Sequence, residues 1–396
     1  MNSRRIGAIA ALVLVVVLGV AAVALARPYQ PEPVQERNAV GDATCISCHQ
    51  QKSRFETTAH HLTSRQAAAS TIDGSFTNGA NVLTTSNPAL HFRMDSTASG
   101  FYETAVTGRG PDTATRTERI DIVTGSGRKG QSYLSWRNEH LFQLPISFWR
   151  GLGWINSPGY RDGIANFDRP IAPRCLECHS TGFESMPEPA ANNGYRLTSG
   201  KLGVSCETCH GSGLAHVKRE TLPLRAVPRV LMASRIVNPG KLPRERQVDG
   251  CALCHGGLGG LRTPAFSYVP GQPLAQHLRL PAALPNESVD VHGNQVALLE
   301  RSACFRSSQM TCATCHDVHQ TQRDATALSG RCLSCHAVQS CGLFPTRGSS
   351  LLGKCADCHM PRLPSNTIVS DDRGRQERPL VRTHWIKVYP EMMAAP

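Results

Sequence analysis

The stretch Cys312-Ala-Thr-Cys315-His316-Asp-Val-His319 shows the pattern around which the chain is organised. Two cysteines separated by two residues and followed at once by a histidine form the pattern of covalent c-type haem attachment. The two thiols add to the two vinyl groups of one porphyrin edge, and the histidine lies under the iron as its proximal ligand. His319 is too close in sequence to reach the same iron from the other side. We therefore predict that it is the distal ligand of a neighbouring haem.

The same pattern occurs seven times, and we number the resulting sites 1 to 7 in chain order. A zinc knuckle, a structural disulfide or a redox-active cysteine pair would need no histidine at the next position. The repeated histidine favours haem c over these alternatives, so we predict seven covalently attached haems. The motifs are Cys45-Cys48-His49, Cys175-Cys178-His179, Cys206-Cys209-His210, Cys251-Cys254-His255, Cys312-Cys315-His316, Cys332-Cys335-His336 and Cys355-Cys358-His359.

Residues 1–26 are predicted to be a secretory signal peptide or an uncleaved N-terminal membrane anchor. Arg4 and Arg5 precede an apolar run over residues 6–26. The basic start and the small residues at the end of the run are typical of a signal peptide, whereas the length of the run is enough to span a bilayer. Both alternatives place the rest of the chain outside the cytoplasm, where c-type haems are attached. We expect a periplasmic or exported protein, either free or anchored to the inner membrane.

The net charge of +12 comes from 42 Lys and Arg against 30 Asp and Glu in 396 residues. A basic chain of this kind can bind nucleic acid or a membrane surface. Each haem brings two propionates, however, and we expect the excess cations to pair with these groups. The sequence therefore predicts no nucleic-acid partner. Its many glycines and prolines fit a loop-rich chain wrapped around cofactors.

We predict a mainly α and irregular multihaem cytochrome fold built around seven haems, with a small antiparallel β insertion. The insertion is placed at 76–150 because the runs 90–94, 101–107, 118–124, 131–137 and 141–148 alternate or are rich in aromatic residues, and turn signals separate them. The remaining boundaries follow the haem motifs. They give the signal or anchor 1–26, a linker 27–40, the first haem module 41–75, a module of sites 2 and 3 at 151–220, and a module of sites 4 to 7 at 221–396.

Nine histidines lie outside the motifs and are candidates for the distal ligands. Six are preferred for their position: a pair after site 1, one behind a glycine-lined turn after site 3, one before a helical run that leads to site 5, one just after site 5, and one in the C-terminal tail. Filling these positions would give low-spin, six-coordinate irons suited to electron transfer. The six are His60, His61, His216, His292, His319 and His384.

The seventh distal position has several candidates. His277, His91 or His140 would each complete a seventh histidine pair, and Met94 and Met310 offer thioether sulfurs. The remaining alternative is an open iron, which would be the place for chemistry on a substrate.

Two cysteines, Cys304 and Cys341, belong to no haem motif. In an oxidising compartment they either form a disulfide or remain free thiols. Their separation in space decides between these alternatives, and it cannot be read from sequence.

Several stretches resemble the exported multihaem c-type cytochromes. Within that group the chain is similar to the superfamily of the tetrahaem cytochrome c of ammonia oxidisers and the hydroxylamine oxidoreductase-like proteins, and the similarity covers most of residues 41–390. The block from 130–134 through 167–170 also resembles uncharacterised members of the group. The haem stretches that carry the resemblance are Cys175-Leu-Glu-Cys-His-Ser-Thr181, Val204-Ser-Cys-Glu-Thr-Cys-His-Gly-Ser-Gly-Leu-Ala-His216, Met310-Thr-Cys-Ala-Thr-Cys-His-Asp-Val-His319 and Cys355-Ala-Asp-Cys-His-Met-Pro361.

The resemblance implies stacked haem pairs, mostly bis-histidine ligation and electron transfer in the periplasm. By position, His216 and His319 match distal ligands of the family. The chain also departs from two enzyme classes of the group. None of its motifs has lysine in place of histidine, as in one class of multihaem nitrite reductases, and its spacing does not show the tyrosine cross-link of hydroxylamine oxidoreductases.

We expect an electron carrier that receives electrons from one redox protein and passes them to another. The alternative is a multihaem oxidoreductase in which one open haem acts on a small nitrogen or sulfur compound. A third hypothesis, a structural subunit of a larger respiratory complex, would suit an N-terminal anchor. The sequence leaves the oligomeric state open.

Overall fold

The structure is a computed structural model, and it describes residues 32–187, 192–197, 200–221, 236–281, 290 and 293–393. The predicted signal peptide or anchor (1–26) and the predicted ligand His292 lie outside the described residues. Within the described ranges, no helix is both long and apolar enough to cross a membrane.

Two antiparallel sheets occupy most of the chain between residues 64 and 170. The six-stranded sheet has the order β1-β6-β7-β8-β10, with β9 paired to β8, and the four-stranded sheet has the order β2-β3-β4-β5. The two-residue turn between β7 and β8 contains Asn138 at φ 57°, a left-handed conformation that asparagine adopts more readily than most residues. The strands are β1 (Ser64–Gln66), β2 (Val82–Thr84), β3 (Leu90–Thr97), β4 (Gly100–Thr107), β5 (Ala114–Ile120), β6 (Ile122–Thr124), β7 (Gly130–Arg137), β8 (His140–Trp149), β9 (Gly153–Asn156) and β10 (Arg169–Pro170).

The sheets have a packed core of their own. Alternate residues of β3 point inward, so Phe92 and Met94 are fully buried, in contact with a cluster that includes Tyr133, Leu144 and Ile146. A second cluster contains side chains of β6, β7 and β8 and also Leu176 from the helix that carries site 2. This second cluster fixes site 2 against the six-stranded sheet.

Outside the sheets the chain consists of short helices and small hairpins. The α-helices are Asp42–Cys48, Pro173–Glu177, Cys206–His210, Leu214–Thr221, Arg244–His255, Gln295–Glu300, Ala303–Arg306, Ala325–Gly330, Phe344–Arg347, Cys355–His359 and Pro390–Met393. The 3-10 helices are Glu36–Asn38, Gln50–Thr57, His61–Thr63, Gly110–Asp112, Pro239–Lys241, Leu274–Gln276, Cys312–Thr314, Cys332–Ser334, Val338–Ser340 and Gly348–Leu351. The hairpins pair Ser180–Gly182 with Lys201–Leu202, Gly260–Leu261 with Leu278–Arg279, Arg362–Pro364 with Leu380–Arg382, and Ser370–Asp372 with Arg375–Glu377.

The prediction of a mainly α and irregular fold is wrong. Strands are nearly as abundant as helices, and small hairpins add to the two sheets. The predicted runs overlap β3, β4, β5 with β6, β7 and β8, but they belong to a much larger β structure than the small insertion that was expected. The physical reason is that haem faces were expected to provide the core throughout, whereas the sheets bury their own aliphatic and aromatic side chains. The module boundaries remain a prediction.

Candidate haem sites

All seven motifs line one continuous cavity. Its volume is about 3300 Å³, and its walls include all fourteen motif cysteines and all seven motif histidines. A pocket for one small molecule usually measures about 300–1,000 Å³. The cavity therefore has room for several large cofactors, and the cysteines and histidine of every motif lie along its wall.

The local backbone explains how each motif presents its side chains. Sites 1, 2, 3, 4 and 7 lie on short α-helices, and sites 5 and 6 lie on 3-10 turns. The amide of His49 donates a hydrogen bond to the carbonyl of Cys45 at 2.9 Å, and His316 does the same to Cys312 at 2.9 Å. Because residues three and four apart share one helical face, both thiols and the imidazole reach the same side of the turn.

Four motif histidines each face a histidine from a distant part of the chain. The ring centres are separated by 6.4 Å in His49–His216, 6.1 Å in His60–His255, 6.2 Å in His210–His319 and 6.1 Å in His316–His384. An imidazole nitrogen binds a metal at about 2 Å, and the ring centre lies about 1 Å further back, so two rings across one iron have centres about 6 Å apart. The pairs have the separation that bis-histidine ligation at sites 1, 3, 4 and 5 would need.

Burial keeps several of these rings in the form that binds metals. Desolvation lowers the pKa of His60, His210 and His316, and it lowers the pKa of His384 to about 4. These imidazoles are therefore neutral at neutral pH. A neutral imidazole has the lone pair that a metal ligand requires.

Hydrogen bonds also fix the orientation of individual rings. The Nδ1 of His210 lies 2.8 Å from the carbonyl oxygen of Val237, and the Nδ1 of His359 lies 2.9 Å from that of Lys387. A carbonyl only accepts, so Nδ1 carries the proton and Nε2 has the free lone pair. Metal-binding histidines commonly have this arrangement.

Other features of the cavity fit a large apolar cofactor with metal centres. One nitrogen each of His216 and His384 is buried without a hydrogen-bond partner in the described part of the chain, and a buried polar atom in that state is costly unless something satisfies it. Several large apolar side chains of the cavity wall are exposed, which porphyrin faces would cover. These are Leu152, Leu258, Val318, Leu380 and Val388.

The other predicted distal ligands are placed differently. The Nδ1 of His61 lies 3.0 Å from a carboxylate oxygen of Asp42, and this hydrogen bond raises the pKa of His61. The ring of His61 also contacts Phe55, and it does not line the cavity. His292 lies outside the described residues, so its role as a ligand stays a prediction.

The three histidines that were candidates for the seventh distal position do not line the cavity. His91 lies in β3 between two paired strands, and His140 is the first residue of β8. His277 uses both ring nitrogens in hydrogen bonds, 3.1 Å to Thr263 and 2.8 Å to Gln272. None of the three lines the cavity wall.

Neighbouring sites lie in direct contact. Thiols from different motifs lie side by side, which joins sites 1 and 3, sites 2 and 4, and sites 4 and 5. The contacts are Cys45 with Cys206, Cys178 with Cys254, and Cys251 with Cys312. The histidine pairs add links between distant segments, because His60 follows site 1 but faces site 4, and His319 follows site 5 but faces site 3.

Buried charged residues hold these neighbours together, and the sequence analysis missed them. Arg174 forms a buried ion pair of 2.8 Å with Glu177 and donates to the carbonyls of Leu253 and Gly257, which ties site 2 to site 4. Glu207 accepts hydrogen bonds from the amides of residues 40, 41 and 213, which ties site 3 to the start of site 1. Their only signal in the sequence is a charged residue inside or beside a haem motif, which is not specific.

Cys304 and Cys341 are both free thiols in the structure, and both line the cavity. Of the two alternatives, a disulfide or two free thiols, the structure therefore contains the free thiols.

Comparison with known proteins gives one match. Residues 161–211, which include sites 2 and 3, match the family model of cytochrome c554 and c-prime. No curated protein and no solved structure gives a significant match. The match supports a c-type cytochrome with covalently bound haem. It reaches only two of the seven motifs.

Proposed function

We propose that the protein is a periplasmic heptahaem c-type cytochrome that transfers single electrons through closely spaced, mostly bis-histidine haems. The family match supports a c-type cytochrome for which electron transfer is plausible. The haem number, the ligation and the location go beyond that match and belong to the proposal. One observation carries the proposal: seven haem motifs line one cavity, and four of their histidines face a second imidazole at about 6 Å.

The chain's own residues would hold the haems and keep them rigid. The motif cysteines would provide thioether bonds, and the motif histidines would bind iron, which when bound supplies a one-electron couple. Ring orientations fixed by hydrogen bonds, as at His210 and His359, would change little between oxidation states. A small change in geometry favours fast electron transfer, and this is the property a carrier needs.

Contact between sites supports transfer from one haem to the next. The thiol contacts join sites 1 and 3, 2 and 4, and 4 and 5, and histidine pairs bring sites 3 and 5 and sites 1 and 4 close together. No electron would need to leave the protein to pass between these five sites. A redox protein donor and a redox protein acceptor would then exchange electrons with the network.

Export rests on the sequence. C-type haem attachment takes place outside the cytoplasm, and residues 1–26 have the composition of a signal peptide or anchor. We propose that the mature chain acts in the periplasm, either free or held at the inner membrane. A subunit of a respiratory complex would be recognised by co-purification with membrane partners.

The test combines haem counting with a ligand exchange. The purified protein should contain seven haems per chain by pyridine haemochrome assay. His384→Met should leave the haem count unchanged and raise the midpoint potential of one haem, because a methionine ligand raises haem potentials relative to histidine. His140→Met, in β8 and away from the cavity, is the control and should shift no potential. Fewer than seven haems, or equal shifts in both variants, would contradict the proposal.

A further inference from the structure

The number of histidines limits how many irons can have two histidine ligands. Seven sites would need seven distal histidines, and nine histidines lie outside the motifs. Four of these nine face sites 1, 3, 4 and 5, namely His216, His319, His60 and His384. Sites 2, 6 and 7 therefore have to draw on the remaining five.

Three of those five are held elsewhere by their own contacts. His91 and His140 lie in the strands of the two sheets, and both nitrogens of His277 are used by Thr263 and Gln272. All three are described residues, and none lines the cavity. Even if His61, which also does not line the cavity, is counted with His292, two histidines are left for three sites, so at least one iron would have no second histidine.

The position of His61 further limits which sites it could serve as a second ligand. Its ring contacts Phe55 and Asp42 near site 1. Two residues later, the hydroxyl of Thr63 lies 3.1 Å from the Nδ1 of His179, the motif histidine of site 2. His61 therefore belongs to the neighbourhood of sites 1 and 2. Sites 6 and 7 can share at most His292.

Sites 6 and 7, the last two in the chain, lie next to each other. The helix Ala325–Gly330, which leads directly into site 6, packs against the helix of site 7, and the amide of Ala356 donates to the hydroxyl of Ser329 at 3.1 Å. The ring of His336 at site 6 is exposed, whereas that of His359 at site 7 is oriented by the carbonyl of Lys387. Two adjacent sites on the cavity wall thus share a single candidate for a distal histidine.

We propose that at least one of the irons at sites 6 and 7 has no histidine as its second axial ligand and binds a small external anion there. This inference rests on the proposed function, because it requires haem at both sites. It identifies where in the cavity a molecule other than a protein side chain would reach an iron.

The preference for an anion comes from the cavity wall near these sites. Arg331 and Lys354 each precede a motif directly, Arg362 follows site 7, and the backbone of Lys387 contacts His359. The acidic residue of this wall segment, Glu377, forms an ion pair of 2.7 Å with Arg375. Propionates would neutralise part of this positive charge, and the surplus would attract an anion that enters from solvent.

The first test measures ligand binding to the protein with all haems attached. Cyanide should convert a high-spin ferric EPR signal to a low-spin signal, with one or two cyanides bound per chain. Removal of one thioether by Cys332→Ala or by Cys355→Ala should shift the absorption band of that haem, because one vinyl group stays conjugated. The cyanide-sensitive part of the spectrum should carry the shifted band in at least one of these two variants. Cys45→Ala at site 1 is the matched control, and its shifted band should not respond to cyanide.

The second test addresses the charge of the ligand. Lys354→Gln should weaken azide binding to the oxidised protein about two- to fivefold, as expected for the loss of one exposed charge. It should leave the binding of neutral carbon monoxide to the reduced protein unchanged. Lys241→Gln, on the 3-10 helix Pro239–Lys241 that packs against the helix of site 4, should change neither.

The outcomes separate this inference from the proposed function. Seven haems that are all low-spin and bind no cyanide would overturn the inference and leave the electron carrier standing. Cyanide binding at a haem that neither Cys332→Ala nor Cys355→Ala shifts would place the external ligand elsewhere and also overturn it. Equal loss of azide and carbon monoxide binding in Lys354→Gln would remove the preference for an anion. A haem count below seven would instead contradict the proposed function.

Discussion

The two sheets and the C-terminal part of the chain, residues 300–393, differ in how many apolar side chains they bury. One cluster between the sheets contains twelve buried apolar residues, among them Phe92 and Tyr133 at zero exposure. The buried apolar side chains of residues 300–393 are few, namely Phe305, Leu351, Ala356, Pro361 and Tyr389, although this segment carries three haem motifs. A protein segment with so little buried apolar surface cannot offset its own conformational entropy. On the proposed function, its stability would come from the haems that its cysteines and histidines bind.

The largest effect should follow from preventing haem attachment. In protein produced without haem attachment, we expect residues 300–393 to unfold, because the side chains around the cavity would then face water. The sheets should stay folded, since their core needs no cofactor. Limited proteolysis with mass spectrometry should find cleavage sites throughout 300–393 and a protected fragment spanning about residues 64–170. The fully loaded protein is the control, and protection of 300–393 in the haem-free protein would refute the contrast between the two regions.

A substitution in the core of the sheets should have the reverse pattern. Phe92→Ala removes a fully buried ring from β3 and should lower the free energy of unfolding of the sheets by about 3–5 kcal/mol. The haem absorption spectrum in native buffer should not change, because neither Phe92 nor the buried residues of its cluster line the cavity. Urea unfolding followed by tryptophan fluorescence and by haem absorption would measure both effects.

The exposed residue Val82, in the neighbouring strand β2, supplies the control. Val82→Ala should change stability by no more than about 0.5 kcal/mol, as is usual for surface positions. If Phe92→Ala lowered the haem and tryptophan transitions equally, the two regions would form one cooperative unit.

The haem motifs were predictable because their information is local. The cysteine and histidine spacing fits one helical turn and one porphyrin edge, so the sequence alone predicts every residue of sites 1 to 7, and haem binding at these residues stays a prediction. The histidine pairs are different. His384 faces His316, and His60 faces His255, over separations that no local pattern encodes. The sequence could nominate these histidines as candidates, but only tertiary structure assigns each one to a site.

The β structure was only partly predictable for a related reason. Strands β3, β4, β7 and β8 are eight to ten residues long, which is enough for alternation to be visible. The hairpin strands Arg362–Pro364 and Leu380–Arg382 have three residues each and are exposed or half-buried, so they leave no periodic pattern. The buried ion pair of Arg174 and Glu177 was also invisible, because its burial depends on contacts with residues about 80 positions away.

The last effect concerns a carboxyl group buried in the core of the sheets, and it changes stability only with pH. Glu103 is fully buried, its carboxylate accepts one hydrogen bond from the amide of Ile146, and its other oxygen has no partner in the described part of the chain. Desolvation raises the pKa of Glu103 well above its usual value. The nearby hydroxyls of Tyr133 and Tyr160 have pKa values that burial also raises, so they stay neutral and do not compensate. Glu103 is therefore protonated in the folded protein over a range in which it is ionised in the unfolded chain.

This difference in protonation between the folded and unfolded chain means that the stability of the sheets falls as pH rises. The stability contribution of Glu103 is fully present below its unfolded pKa and is lost as pH rises towards its folded pKa, at about 1.4 kcal/mol per pH unit. Glu103→Gln keeps the oxygen that accepts from Ile146 but cannot ionise, so this slope should disappear from the unfolding of the sheets. Glu184→Gln, at a side chain that is 56% exposed, should leave the slope in place. Urea unfolding at a series of pH values from 4 to 8 would measure it, and an unchanged slope in Glu103→Gln would show that the sheets tolerate an ionised carboxylate in their core.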